Sequence, residues 1–360
     1  MTHAAPVSPV DRAGLRQRVD KALTEFLAGQ RVRLAAVDDA LGPVAEAIEA
    51  FVLGGGKRLR PAFAYWGFRG AGGLDADHVV TALAALEFVQ ASALIHDDLM
   101  DRSDTRRGEP AVHRRFATRH RDAGWGGDPD GFGDAAAILL GDLCLVWSDE
   151  LLHSAGLDLW SLARARPVFD EMRTEVTVGQ YLDVLTQVTG DTSVERASKV
   201  ARYKSAKYTV ERPMLLGAAL ADAPEEVRTT YSAYGLPLGE AFQLRDDVLG
   251  VFGDPALTGK PAGDDLREGK RTYLVAAAVE ATDDAGRELL LGRLGDPELD
   301  EQGVARLREV ISGSGALART EQRIVALTDA ALAALTTVDL ETEARQALVD
   351  LAIAATRRSD

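Results

Sequence analysis

A single cysteine, Cys144, stands in 360 residues, which rules out a disulfide framework and a cysteine-built zinc cluster. It sits in an apolar run, Ile138-Leu139-Leu140 to Val146, and reads as a small buried hydrophobe. Aromatic residues are also few, at 6%. Alanine and leucine, which lose least on entering a helix, dominate the periodic stretches instead. Positive charge is scarce: 41 Lys and Arg against 56 Asp and Glu leave a formal charge of −15. That balance argues against a nucleic-acid partner, which needs a basic face to neutralise phosphates. It does not exclude a phosphorylated substrate, because carboxylates hold magnesium and magnesium holds phosphate. No uninterrupted apolar stretch approaches the roughly 20 residues that span a bilayer, so no membrane span is expected. The first residues, MTHAAPVSPVDRAGL, lack the basic start and apolar block of a secretory signal. A cytoplasmic location is the expectation.

What is present is three- and four-residue spacing of apolar residues along almost the whole chain, with little strict alternation. It predicts an all-α fold. Helices are expected over 11–29, 31–53, from Pro61 to about Gly70, from about Asp77 to Ser103, and over 134–156, 159–187, 193–220 and 225–251. Three more follow at roughly 272–281, 301–312 and 318–357. Residues 119–133, rich in Gly, Asp and Pro, read as a loop. Residues 253–271, GDPALTGKPAGDDLREGKR, form a long charged stretch of the kind that serves as an active-site lid. Neither an exact repeat nor a linker divides the chain, so 1–360 is expected to be one domain.

The sharpest local feature is Ile95-His96-Asp97-Asp98-Leu99-Met100-Asp101. On a helix these carboxylates gather on one face, and Asp104 continues the row. A merely solvated acidic face would intersperse basic residues; a divalent cation offsets the repulsion better, and magnesium takes oxygen ligands. A second apolar helix ends in Phe242-Gln243-Leu244-Arg245-Asp246-Asp247-Val248-Leu249-Gly250. One such pair is commonplace, but two, each late in an apolar helix, suggest two acidic walls facing one cavity. Cations are supplied by Gly54-Gly55-Gly56-Lys57-Arg58-Leu59-Arg60-Pro61, where glycines meet a helix start that already favours anions. Arg106-Arg107-Gly108 follows the first acidic cluster, and arginine binds phosphate oxygens in a two-pronged fork. Lys204 with Ser205, then Lys260 and Lys270 on the expected lid, complete the positive set.

In this order GGGKRLRP, HDDLMD, RRG, KSA and FQLRDD…GDPALTGK…GK make the region from about Gly54 to Thr272 resemble the trans-isoprenyl diphosphate synthase (polyprenyl synthetase) family. The resemblance implies a single-domain isoprenoid synthase bundle of about ten or more helices around a central active-site cavity. It implies that Asp97 and Asp101, with Asp98 in support, and Asp246, supported by Asp247, hold about three magnesium ions. Arg106, Lys204 and Lys260 would neutralise the allylic diphosphate. Lys57, Arg60, Gln90 and Arg107 would take isopentenyl diphosphate. Ser205, Gln243 and the Gly179-Gln180…Asp183 segment would line the space between. The lid acid is Asp264 or Asp265, with Asp265 favoured, and Lys270 belongs to the same lid. The family's second motif usually reads DDxxD, and here its third aspartate is Gly250. A homodimer pairing near 77–103 and 134–156 is also implied.

The reaction so implied condenses isopentenyl diphosphate with C5, C10 or C15 allylic diphosphates. Looking back from Asp97, Ala93 and Ser92 are small and let a growing chain pass, whereas Val89 and Leu86 lie deeper, with Leu143 and Trp147 as a floor. This points to a C20 product, geranylgeranyl diphosphate, with farnesyl or C25 and longer products as alternatives. A terpene cyclase would share the acidic motifs without needing Lys57, Arg60 and Arg107. A regulatory subunit of a heteromeric synthase has only Gly250 in its favour, and an acidic helical scaffold would not explain motifs in this order.

Overall fold

The computed structural model describes residues 9–254, 263–296 and 298–357. They are helical almost throughout, and the chain divides into two compact units. The first comprises the described part of Met1–Val168 with Pro213–Ala223 and Leu340–Leu348; the second comprises Phe169–Arg212, Pro224–Asp339 and the described part of Val349–Asp360.

In the first unit, α1 (Leu15–Val37), α2 (Gly42–Leu53), α3 (Leu59–Gly70), α5 (Val112–Asp122) and α6 (Pro129–Ser154) surround α4 (Asp77–Met100). Helix α4 is long and apolar enough to cross a membrane by composition alone, but most of it is the buried centre of this unit. Helix α1 runs past the expected break at residue 30 and stops at Asp38, whose side chain caps the next turn by accepting from the Ala40 amide. The expected loop at 119–133 is mostly helix. Helix α5, which sequence reading missed, buries Val112, Phe116 and His120 at four-residue spacing. Asp128 caps α6 through the amides of Asp130 and Gly131, with Pro129 in the first turn, so the Gly-Asp-Pro cluster marks a helix start.

Helix α4 ends at Met100, short of the expected Ser103. Arg102 adopts a left-handed φ of 55°, Ser103 N–H donates to Asp98 O at 2.9 Å, and Arg102 N–H to Leu99 O at 3.3 Å. This is a Schellman stop. Asp104 therefore does not extend the acidic row: it lies beyond the helix and accepts from Arg114 Nε at 2.6 Å. A two-stranded hairpin follows, pairing Thr105 with Pro110 and Arg106 with Glu109. Its turn residues, Arg107 and Gly108, have φ of 55° and 79°, the signature of a tight primed turn.

The second unit is built on α10 (Glu225–Phe252). The expected helix at 193–220 is interrupted. After α8 (Val194–Val200) the chain widens into a π-helical run, Ala201–Glu211, before α9 (Arg212–Leu220), which from Pro213 on belongs to the first unit. Gly179 on α7 (Leu159–Thr189) and Gly239 on α10 accept that wide run: Cβ atoms there would come 2.8 Å from Lys204 Cα and 2.6 Å from Ala206 Cα. The short helix α11 (Asp264–Arg267) lies within the stretch expected to be structureless, and its Leu266 is fully buried. Then come α12 (Tyr273–Ala281), α13 (Asp284–Arg293), α14 (Glu301–Gly313), α15 (Ala316–Ala334) and α16 (Thr342–Thr356), the last of which belongs to this unit only from Val349. Helix α13, capped by Asp283, went unpredicted, and the single helix expected at 318–357 is two. Leu244, Val248 and Val251 of α10 share one core with Leu266, Leu274, Leu290 and Leu307.

Candidate active site

In the first unit the partly accessible strip of α4 carries Gln90, Ala93, Leu94 and Asp97, as the helical repeat requires, and Asp101 caps its end. Asp98 turns the other way and is fully buried. It is met by Arg106 of the hairpin, whose Nε lies 2.9 Å from Oδ1 and 3.2 Å from Oδ2, and whose Nη2 also bonds Oδ1. The same guanidinium stands 3.9 Å from Asp97. The three aspartates are thus divided: Asp98 anchors an arginine, while Asp97 and Asp101 stay partly accessible.

The turn places Arg107 next to Arg106, and Arg107 Nη1 donates to Gly54 O at 3.1 Å, tying the hairpin to the glycine loop. Burial, with Arg58, Arg106 and Arg60 nearby, pulls its pKa below the ordinary guanidinium value. This is a concentrated positive field suited to an anion. Lys57 is exposed and Arg60 is buried to 9% exposure. Between them Arg58, absent from the expected site, points inward with a left-handed φ of 52°. It bonds Glu87 at 2.5 Å, Asp20 at 2.8 Å and the Val52 carbonyl at 2.9 Å. The signal for this lock was a lone glutamate inside the apolar run of α4, which needs a buried partner.

Along the buried side of α4, Ser92 has Phe88 one turn below it. Phe88 meets Phe26 of α1 at 5.3 Å and Trp147 of α6 at 6.1 Å between ring centroids, both edge-on. Trp147 therefore belongs to an aromatic trio whose other two members sequence reading missed. Val89 is buried, and Leu143 and Ala93 are partly accessible.

In the second unit Lys204 and Ser205 ride on the π-helical run, and such runs recur at functional sites. Lys204 Nζ lies 2.7 Å from Asp183 of α7, and Gln180 stands one turn away on that helix. On α10, Gln243, Asp246 and Gly250 form a partly accessible strip, while Asp247 is buried. Gln243 donates to Asp247 at 2.8 Å. Burial, with Asp265 and Asp246 nearby, pushes Asp247 up to about 8. Of the two candidate lid acids, Asp265 is the one packed against Gly250. Lys270 bonds Glu268 and lies 3.8 Å from Asp265. Lys260 lies outside the described residues.

No group of three or more His, Cys, Asp or Glu among the described residues gathers closely enough to hold a metal unaided. That donor set fits magnesium, which typically takes one or two carboxylates, keeps several waters and completes its shell with substrate phosphate.

The polyprenyl synthetase family profile spans residues 43–311, taking in both acidic motifs, the glycine loop and the hairpin. A geranylfarnesyl diphosphate synthase of Aeropyrum pernix is 36% identical over 273 residues, 75% of this chain and 79% of its own. A geranylgeranyl diphosphate synthase of Saccharolobus solfataricus is 33% identical over 260 residues, 71% of this chain and 73% of its own. The crystal structure of geranylgeranyl pyrophosphate synthase from Corynebacterium glutamicum, complexed with isoprenyl diphosphate and magnesium, matches at 43% identity with a TM-score of 0.93, covering 96% of this chain and 98% of that one. The chain belongs to the polyprenyl synthetase family and is a prenyltransferase.

Proposed function

We propose that the enzyme condenses isopentenyl diphosphate with C5, C10 and C15 allylic diphosphates and releases mainly the C20 product, geranylgeranyl diphosphate. The observation that carries this reading is the hairpin. Arg106 is locked to the first acidic motif and Arg107 to the glycine loop, so one short element serves two anion sites side by side. Chain elongation needs two diphosphates; a terpene cyclase needs one.

Asp97 and Asp101 would hold magnesium on the first motif and Asp246 on the second. Magnesium, when bound, draws charge from the diphosphate leaving group. Arg106, kept in place by Asp98, and Lys204, kept in place by Asp183, neutralise phosphate oxygens as the carbon–oxygen bond breaks. Lys57, Arg60 and Arg107, with Gln90, orient isopentenyl diphosphate so that its double bond meets the allylic carbon. Ser205 and Gln243 line the reacting space. Proton loss to the departing diphosphate ends the cycle.

Small Ala93 and Ser92, followed one turn deeper by the Phe26–Phe88–Trp147 trio, support a C20 limit. A homodimer is part of the same reading: Leu139 and Val146, seven residues apart on α6, expose 65% and 61% of their surface, an apolar row suited to a second copy. Light scattering is expected to give twice the chain mass.

The test is incubation of the purified protein with isopentenyl diphosphate, magnesium and each primer in turn, followed by dephosphorylation and sizing of the alcohols. A dominant C20 alcohol, lost on chelation, is expected. A C15 or C25 product keeps the reaction and moves the floor. No elongation with any primer overturns the reading.

A further inference from the structure

Wide helical turns occur mostly as single bulges, yet the π-helical run Ala201–Glu211 lasts 11 residues, and its five-residue step continues to Arg212, whose N–H donates to Lys207 O. Contacts from α7 and α10, all within the second unit, hold it open. Glycines let both helices reach the backbone of the run. A Cβ on Gly179 of α7 would stand 2.4 Å from Lys204 N and 2.5 Å from Tyr203 C. On α10, one on Gly239 would stand 2.5 Å from Ala206 O and one on Gly235 2.6 Å from Glu211 Cα. Glycine inside a helix is otherwise unfavourable, so its use along this seam marks a close approach that the fold requires.

Charge then fixes the seam. Glu175, Gly179 and Asp183 are four residues apart on α7 and form one stripe. Asp183 holds Lys204 at 2.7 Å, Gly179 lies against the Tyr203–Lys204 peptide, and Glu175 holds Lys207. Arg212 reaches the same Glu175 at 2.6 and 2.9 Å. The mostly buried Lys207 also stands 3.7 Å from Glu211 and 5.3 Å from the centre of the Tyr203 ring. One ammonium therefore joins the residue beside Lys204, the last residue of the run and α7.

We propose that Lys207 is a positioning residue for Lys204: strapped to Glu175 across the run, it keeps the wide register that directs Lys204 along the α7 stripe to Asp183. The proposal rests on the reading above, in which Lys204 neutralises the allylic diphosphate. A step of five residues rotates successive side chains less than a step of four, so a run that narrows to an ordinary α-helix turns Lys204 away from the stripe. The contrasting role is purely structural, with Lys207 serving only as a second partner for a carboxylate that Arg212 already pairs. For the same reason, Lys207→Met leaves Glu175 paired and is expected to fold.

The experiment is a kinetic cycle on the full chain: Lys204→Met, Lys207→Met, the two together, and Lys207→Arg, with primer and isopentenyl diphosphate varied in turn and urea unfolding alongside. Lys207→Met is expected to lower kcat/KM for the primer about tenfold, within the roughly hundredfold that a misplacement of about 1 Å can cost, and to leave KM for isopentenyl diphosphate unchanged. Lys207→Arg is expected to recover most of the loss. In the Lys204→Met background, adding Lys207→Met is expected to change kcat/KM by less than about twofold, because a residue that acts through Lys204 then has nothing to position. If Lys207→Met does not fold, Glu175→Gln, which weakens the same strap, takes its place in the cycle with the same expected outcome. Losses that multiply, or that fall equally on both substrates, overturn the proposal. If Lys204→Met by itself leaves kcat/KM for the primer unchanged, the reading of Lys204 as a phosphate contact falls, and the proposal with it.

Discussion

The two acidic motifs begin alike, each an Asp-Asp pair late in an apolar helix, and they are finished differently. In the first, the buried aspartate meets a guanidinium: Asp98 has Arg106 across both oxygens. In the second, the equally buried Asp247 meets neutral donors, the amide of Gln243 and the backbone of Tyr273, and has two more carboxylates nearby. A charge out of water must be paired or neutralised. The first site pairs it with a built-in cation; in the second, burial pushes the pKa up to about 8, which favours the neutral acid. The same dipeptide therefore makes an ion pair in one unit and a carboxyl biased toward its neutral form in the other, and the partner decides which.

The strongest way to break that comparison is to remove both acids in turn from metal-free protein. Asp98→Ala leaves Arg106 without its buried partner and is expected to cost about 3–5 kcal/mol in urea unfolding. Asp247→Asn keeps a neutral group and a hydrogen-bond acceptor, so a loss of about 1 kcal/mol or less is expected. Equal losses would refute the distinction.

The next contrast lies along α4. Ala93 is on its partly accessible strip and Ser92 on its buried side. Either residue replaced by Phe is expected to shorten the main product to C15 or less. Only Ser92→Phe is expected to lose stability, by about 1–3 kcal/mol, through overpacking. Unchanged product length in both would remove the floor assignment.

A smaller effect tests whether the buried pairs of the first unit position its cations. Arg58→Met with Glu87→Met replaces a buried pair by apolar side chains, a change often neutral for stability. It also releases the turn between Lys57 and Arg60. Steady-state kinetics are expected to show KM for isopentenyl diphosphate rising about tenfold, roughly 1.4 kcal/mol, with KM for the allylic primer unchanged. Equal rises in both would mean general damage.

The smallest effect sharpens the description of the second unit. Burial also raises Glu211, against the pull of Lys207 and Arg212. A carboxyl whose folded value exceeds its unfolded one contributes stability below the unfolded value near 4.5 and loses it as pH rises through the folded value. Glu211→Gln stays neutral, so its stability is expected to fall less than that of the wild type on going from acid to neutral pH. Parallel thermal-unfolding profiles would show that Glu211 titrates normally.

Much of the candidate site could be named from the sequence because the chemistry proposed for it is carried by short runs. Asp97 and Asp101 share a face as soon as the segment is helical, and Lys57, Arg60, Arg106 and Arg107 announce themselves by charge. Helix α5 was missed because its polar surface and the following Gly-Asp-Pro cluster resemble a loop; only packing of Val112, Phe116 and His120 distinguishes them. The Arg58–Glu87–Asp20 lock was missed because its members lie 29 and 38 residues from Arg58.

By itself the sequence determined the helical class, the positions of both acidic motifs and the two cationic segments, since these depend on period and residue type within a few turns of helix. Only the tertiary structure decided which aspartate is an anchor and which stay partly accessible, where Arg58 points, that Phe26 and Phe88 join Trp147, and what fills the space at Gly250. Each of those answers depends on which distant segment removes water from a group and which charge it brings along, and spacing along the chain holds neither.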